Sequence, residues 1–366
     1  MQLEKEKVIL DFRERLDGRA GVLTGQYAHL VGEKIYWQLF NGSSNKIIYA
    51  NKNGESFDQP ENNTVLDNSL AAHNFVAFED TNPNTPKDER YKAIGGYHVG
   101  RFAVKKTNPT DDEIRNAQIH PSLNDCEVSQ KADVVGVIDH MWPEETKVMF
   151  KDDFHHPRHA NGFYIFKSHD GLDWKLYYDK PVISGLTYGE GDFAVCADSM
   201  PSIFYDHNIN EYIVYLRCNI KLGVRHVFYS KSKDLINWDT PKFIKKSPEF
   251  DLDHESLYYM GAYPLSNGKY IAFAPHFRNY VNENNKNDRT YGEGKTLVML
   301  SEDGMHWEVI DEIFKTKDTG HMTQPHVYAF LEEEQSLYIH EGFLTVNNYL
   351  ALYKFDKQEF NNIISK

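Results

Sequence analysis

"GFYIFKSHDGLDW", Gly162–Trp174, is the stretch whose reading decides the fold. Its first half is a short run of apolar and aromatic residues that reads as a strand. Asp170-Gly171 then supplies a turn that accepts the positive φ angles required between tightly connected antiparallel strands. Ser168 can satisfy turn amides, and Trp174 is placed to wedge between neighbouring sheets. The pattern recurs in "IIYANKNGESF", ending at Phe57, "HVFYSKSKDLINW", ending at Trp238, and "LVMLSEDGMHW", ending at Trp307. One such hairpin is a weak signal, whereas four in register indicate a repeat architecture.

A further strand pair precedes each hairpin. These pairs are "QYAHLVGEKIYWQLF", "NFVAFED…ERYKAIGGYH", "PSIFYDHNINEYIVYLR" and "GAYPLSNGKYIAFAP", with "PHVYAFLEEEQSLYIHEGF" and "NYLALYKF" forming a last unit. The units run over 18–59, 60–184, 192–245, 252–313 and 318–356. Radial stacking of small sheets protects their edges, so the sequence predicts an all-β, five-bladed β-propeller as a single domain over 1–366. Residues 101–160 interrupt the second unit between its second and third strands. They include "PTDDEIRNAQIHPSL", read as a short helix starting at Thr110, and the histidine-rich "FHHPRHANG". The fifth unit lacks a fourth strand, and Lys7–Phe12 is expected to supply it.

Hydrophobic residues make up 40% of the chain and aromatics 14%, with 23 Tyr and 22 Phe, which suits a large strand-rich core. The net charge of −14 argues against nucleic acid or an anionic membrane surface as partner. The three cysteines, Cys126, Cys196 and Cys218, form no CxxC pair and suggest no disulfide framework. "MQLEKEKVILDF" lacks a signal-like apolar run, and no stretch approaches the ~20 apolar residues of a membrane helix. A cytoplasmic protein is expected.

With the units laid out, the chain resembles the five-bladed propeller glycoside hydrolases, the invertase, levansucrase and arabinanase families. It resembles in particular their uncharacterised bacterial family-32-like relatives. The matching residues are "ERYKAIGG", "GFYIFKSHDGLDW", "DKPVISG", "ADSMPSIFYDHNINEYIVYLR", "GVRHVFYSKSKDLINWDTPKFI", "ESLYYMGAYPL" and "LVMLSEDGMHWE". Many members carry a β-sandwich after the propeller, and none is expected here. The resemblance implies a carbohydrate-active enzyme, most simply a glycosidase, with carboxylates at the starts of the innermost strands.

Asp198 and Glu255 occupy such starts. They match the transition-state-stabilising or acid-modulating Asp and the general-acid Glu of those families. Read from spacing alone, an Asp before a strand is equally a turn residue, and Glu255 lies in the charged run "DLDHES". The first unit offers Thr24 and Gln26 but no acid, so the usual third carboxylate is missing. Glu190 or Asp192 could replace it from a loop, and Asp80 reads as a turn cap.

Seventeen histidines are present. His155, His156 and His159 match no defined metal-ligand spacing, and neither metal nor cofactor is expected. Amide, imidazole, carboxylate and guanidinium groups that can bind sugar hydroxyls or an acidic substituent are His73, Asn74, Arg217, Arg225, His276, Arg278, His321, His340 and Glu341. The expected ligand is a carbohydrate, neutral or acidic. The rival readings are a sugar-transfer enzyme in polysaccharide assembly and a non-catalytic glycan-binding propeller. Two carboxyl groups ~5–9.5 Å apart across a central pocket would favour hydrolysis.

Overall fold

A computed structural model of the chain describes residues 1–11, 23–40, 45–54, 56–67, 73–97, 162–178, 181–184, 187, 189–193, 195–197, 200–221, 224–251, 254–281, 289–316, 325–341 and 349–365. The strands form five separate sheets, the blades of a propeller. The first strand, β1 (Leu3–Asp11), belongs to the last blade. Blade 1 contains β2 (Leu23–Val31), β3 (Lys34–Phe40), β4 (Asn45–Asn53) and β5 (Ser56–Asp58), with β6 (Thr64–Asp67) also paired to β4. Blade 2 contains β7 (His73–Glu79), β8 (Tyr91–Tyr97), β9 (Gly162–Ser168), β10 (Lys175–Leu176) and β11 (Ile183–Ser184). Blade 3 contains β12 (Ser202–Asp206), β13 (Glu211–Lys221), β14 (Val224–Ser232) and β15 (Lys242–Phe243).

Blade 4 starts with β16 (Lys245–Ser247), which runs parallel to the outer strand β21 (His306–Thr316). Its inner strands are β17 (Glu255–Leu257) and β18 (Gly261–Pro264), both paired to β19 (Tyr270–Val281), and β20 (Arg289–Ser301) completes it. Blade 5 comprises β22 (His326–Leu331), β23 (Ser336–Glu341) and β24 (Tyr349–Phe355). β1 pairs antiparallel with β24, with Leu3 opposite Phe355, and so closes the ring as the sequence predicts. The strand begins at Leu3 rather than at Lys7. Two unit boundaries also move: β6 falls in blade 1, not in the second unit, and blade 4 begins earlier, with β16 starting at the residue that closes the third unit. The interruption over 101–160 lies outside the described residues.

The repeated turn explains how the blades hold together. Ser168 Oγ accepts from Gly171 N at 3.0 Å, and Asp170 Oδ1 accepts from Leu172 N at 2.8 Å and Asp173 N at 3.1 Å. The indole of Trp174 then donates to the Gly171 carbonyl at 2.9 Å. Trp238 and Trp307 repeat that bond to Leu235 and Gly304, and the residues at 171, 235 and 304 all have positive φ. Three of the four turn aromatics receive a ring from the preceding blade. Tyr36 meets Trp174 at 6.0 Å, Tyr215 meets Trp307 at 5.9 Å, and Tyr338 meets Phe57 at 6.0 Å, all edge-on. Such pairs contribute about 0.5–1.5 kcal/mol beyond area burial.

At this same end of the blades, where the inner strands finish, carboxylates tie blades 2 to 3 and 3 to 4. Asp80 accepts from the Tyr212 hydroxyl at 3.0 Å and from Thr85 at 2.8 Å, so it is a turn cap, as expected. Asp206 accepts from the Tyr270 hydroxyl at 2.5 Å. The inner strands β2, β7, β12, β18 and β22 together line an axial cavity of about 270 Å³, walled mostly by apolar side chains. One helix, α1 (Lys357–Ile364), follows the last strand. Asp356 caps it by accepting from Glu359 N, and Phe360 and Ile364 bury against blade 5.

Candidate functional site

The inner strands start at one end of the axial cavity, and there blade 4 presents Glu255 as the first residue of β17, opposite Arg278 in β19. The chain turns into this strand through Asp251. Its amide donates to Glu255 Oε2 at 3.1 Å, and its carbonyl accepts from Glu255 N at 2.7 Å. The Asp251 carboxylate accepts from Arg278 at 3.2 Å and lies 3.0 Å from His254 Nδ1. Buried His276 brings its Nε2 within 3.6 Å of Glu255 Oε1. That imidazole, with help from the Asp251 amide and Lys246, outweighs desolvation and holds the Glu255 carboxyl down at about 2. Glu255 is therefore a carboxylate at neutral pH. A group in that state accepts protons or faces developing positive charge, and it has no proton to give a leaving group.

The wall beside Glu255 is where blades 3 and 4 meet. Ser256 Oγ accepts from Arg225 N at 3.1 Å. Arg217, 3% exposed, donates through Nε and Nη2 to Cys196 Sγ at 3.3 and 3.0 Å. Both guanidinium groups lie over Tyr258, with Cζ 5.4 Å (Arg217) and 5.5 Å (Arg225) from the ring centroid. Cys196 pairs with Arg217 through its amide, while Cys218 sits opposite Val195. The two thiols therefore point to opposite faces, and neither forms a disulfide.

Blade 5 completes the arc. His326 at the start of β22 stands 5.7 Å from the Tyr258 ring. The Tyr328 hydroxyl lies 3.3 Å from His326 Nδ1 and 3.2 Å from His340 Nδ1, with all three residues buried. A single phenol between two imidazoles can donate to only one of them, so the other must donate to it. In blade 2, Asn74 sits at a bulge with φ +55° and is fully buried. Its amide nitrogen donates to Gln38 Oε1 at 2.9 Å, whereas its carboxamide has no partner among the described residues.

Of the sequence-expected residues, the structure gathers Glu255, His276, Arg278, Arg217 and Arg225 at one wall, with His340 behind His326. Asn74 stands at the matching strand start of blade 2. Asp198, His321 and the side chains of His73 and Asp192 lie outside the described residues. Glu341 does not join the group. Its carboxylate accepts from Tyr353 at 2.5 Å and Tyr349 at 2.8 Å and pairs with Lys5 at 2.9 Å, so it braces the closing strand. Glu190 is likewise diverted, accepting from Phe243 N at 3.0 Å on the outer part of blade 3.

Tyr258, His326, Tyr328 and Asp251 were not singled out in the sequence. His326 occupies the strand-start position from which Asp198 and Glu255 were chosen, but a search for acids passes over it. Among the described residues, no three His, Cys, Asp or Glu side chains are grouped to hold a metal ion. No described helix is long and apolar enough to cross a membrane.

No protein-family model matches the sequence, and no curated protein matches it. Among solved structures, the chain is similar to an endo-arabinase from Bacteroides thetaiotaomicron at 10% identity and a TM-score of 0.49. That likeness covers 96% of this chain and 98% of the other. It is similar to a Penicillium chrysogenum α-L-arabinanase complexed with arabinobiose at 10% identity, covering 98% and 99% of the two chains, with a TM-score of 0.43. A mannose phosphorylase from Leishmania mexicana in complex with phosphate is similar at 8% identity over 98% of this chain and 90% of that one, with a TM-score of 0.47.

Proposed function

We propose that this propeller is a carbohydrate-active enzyme, most simply a glycoside hydrolase, with its site where the inner strands begin. The observation that carries the reading is Glu255, kept ionised by buried His276 at the start of an inner strand, beside a wall of Tyr258 and two arginines. Glycoside hydrolysis needs one carboxyl to act as base or nucleophile while another group protonates the leaving oxygen. In the ligand-free protein Glu255 suits the first role, not the general-acid role its family match implies. Asp198 is its proposed partner carboxyl.

A screen of oligosaccharides for released reducing ends identifies the substrate, and Glu255→Gln and Asp198→Asn test the site. Each substitution is expected to lower kcat by about 10²–10⁴, and full activity in both variants overturns the assignment. One observation favours sugar transfer as a second reading. Asp251, the described acid that leads into the inner strand beside Glu255, is committed to a hydrogen bond from Arg278. Products in which the sugar reappears on a new acceptor rather than on water would select that reading.

A further inference from the structure

We propose that Lys246 is a positioning residue for Glu255. Its ammonium holds the crossing segment that carries the Asp251 amide to that carboxylate, and it sets a fixed positive charge within the carboxylate's reach. The role rests on the carbohydrate reading above, in which Glu255 acts as base or nucleophile.

β16 runs parallel to β21 and so heads toward the end of blade 4 where β17 begins. The chain leaves β16 at Ser247 and crosses that end from the outer edge of the blade to its inner strand. Lys246 turns its side chain onto this crossing. Its Nζ donates to the Pro248 carbonyl and lies 4.4 Å from the centroid of the Phe250 ring. Phe250 in turn meets the imidazole of His226 in blade 3, edge-on at 4.3 Å. Next in the chain is Asp251, whose amide donates to Glu255 Oε2 at 3.1 Å and whose carbonyl accepts from Glu255 N at 2.7 Å. One ammonium therefore gathers a carbonyl and a ring immediately before the amide that Glu255 uses.

A lysine kept only for solubility on an outer strand would hold its ammonium in water. Lys246 is instead 9% exposed, and among the described residues its ammonium reaches no carboxylate at ion-pair distance. A buried ammonium so placed is costly, and burial pushes it below the ordinary lysine range. Glu255 is the carboxylate whose charge opposes that push. Lys246 in return adds its charge to what His276 and the Asp251 amide do for Glu255. Lys295, the other charge that Lys246 feels, is paired with Glu312. Burial keeps His226 neutral, pushed down to about 4.

The test compares full-length wild type, Lys246→Met, Lys246→Arg and Glu255→Gln by NMR titration of isotope-labelled carboxyl and lysine side chains, with melting temperatures alongside. Methionine keeps the apolar stem and removes the charge. In Lys246→Met the Glu255 titration, at about 2 in the wild type, should rise by about one unit, and Lys246→Arg should reverse most of that rise. The coupling is reciprocal, so in Glu255→Gln the Lys246 titration should move to lower pH. A lower melting temperature in Lys246→Met with an unmoved Glu255 titration marks a merely structural lysine and overturns the proposal. An unmoved Lys246 titration in Glu255→Gln overturns it as well, and this arm holds even where Lys246→Met fails to fold. On a substrate found by the reducing-end screen, Lys246→Met should lower kcat by about tenfold or more with little change in KM. If Glu255→Gln is inactive while Lys246→Met keeps the wild-type kcat, the hydrolase reading stands and the role of Lys246 falls. If both titrations move while Glu255→Gln stays fully active, the coupling of the two residues stands and the hydrolase reading falls.

Discussion

The hydroxyl of Tyr215 in blade 3 donates to the carbonyl of Gly304 in the outer turn of blade 4, across 2.8 Å. Tyr36 makes the equivalent bond to Gly171 at 2.9 Å between blades 1 and 2. Tyr215→Phe keeps the ring against Trp307 and leaves the buried carbonyl with one partner fewer, so it should cost about 1 kcal/mol. Gly304→Ala should cost more. Its φ is +75°, and an added Cβ would meet the Tyr215 hydroxyl at 2.9 Å. Left-handed backbone alone costs an L-residue about 1–2 kcal/mol. Urea denaturation of the two variants checks both the order and the size.

The turn aspartates set an acid limit on stability. Asp170, Asp234 and Asp303 all have lowered pKa values. Backbone amides dominate for Asp170, while for Asp234 and Asp303 hydrogen bonds overcome an opposing desolvation. A carboxyl with a depressed folded pKa stabilises the fold above its unfolded value, near 3.8 here, and that stability drains away as pH falls through the folded value. The triple variant with Asn at these positions keeps an acceptor oxygen but cannot titrate. Its melting temperature should therefore fall less steeply than that of the wild type below about pH 4.

His276 is expected to hold the Glu255 carboxyl down chiefly through its direct side-chain contact and only secondarily through charge. Its removal in His276→Asn leaves desolvation opposed by less, so the Glu255 pKa should rise from about 2 toward its ordinary 4.5. The sign is testable without a substrate. In the wild type, stability linked to Glu255 is present above 4.5 and lost toward about 2. In His276→Asn this dependence should shrink, and Glu255→Gln should abolish it in both backgrounds. A carboxyl titration by NMR that stays near 2 in His276→Asn would rule out the imidazole as the cause.

Removing residues 1–11 is expected to be severe. The edge of β24 would lose its partner, together with the Lys5 contact to Glu341 at 2.9 Å. An uncovered strand edge pairs with other chains. Size-exclusion chromatography should show higher-order species in place of the wild-type peak.

Much of the ring was legible because turn chemistry is local. Ser168, Asp170, Gly171 and Trp174 satisfy one another within seven residues, and three of the four repeats do so with the same bonds. What escaped depends on neighbours distant in sequence. Thr64–Asp67 has no hairpin signal of its own and is a strand only because Ile47 and Ile48 offer it an edge. At the site, Glu255, His276 and the arginines were visible as charged residues at strand ends. Tyr258 was hidden in the apolar run "LYYMGAY", where nothing marks one tyrosine as the ring beneath two arginines. Glu341 was misassigned because adjacent residues of a strand face opposite ways. His340 turns to Tyr328, and its neighbour turns to a lysine from the far end of the chain.

The pairing of β1 with β24 orders events during synthesis. Lys5 and its contact Tyr349 are separated by 344 positions, so β1 is synthesised long before the strand it pairs with. Until then blade 5 is one strand short and the nascent ring stays open, with loop-closure entropy still to be overcome. Synthesis of β24, more than the formation of any single blade, should therefore set when the propeller becomes resistant to proteolysis.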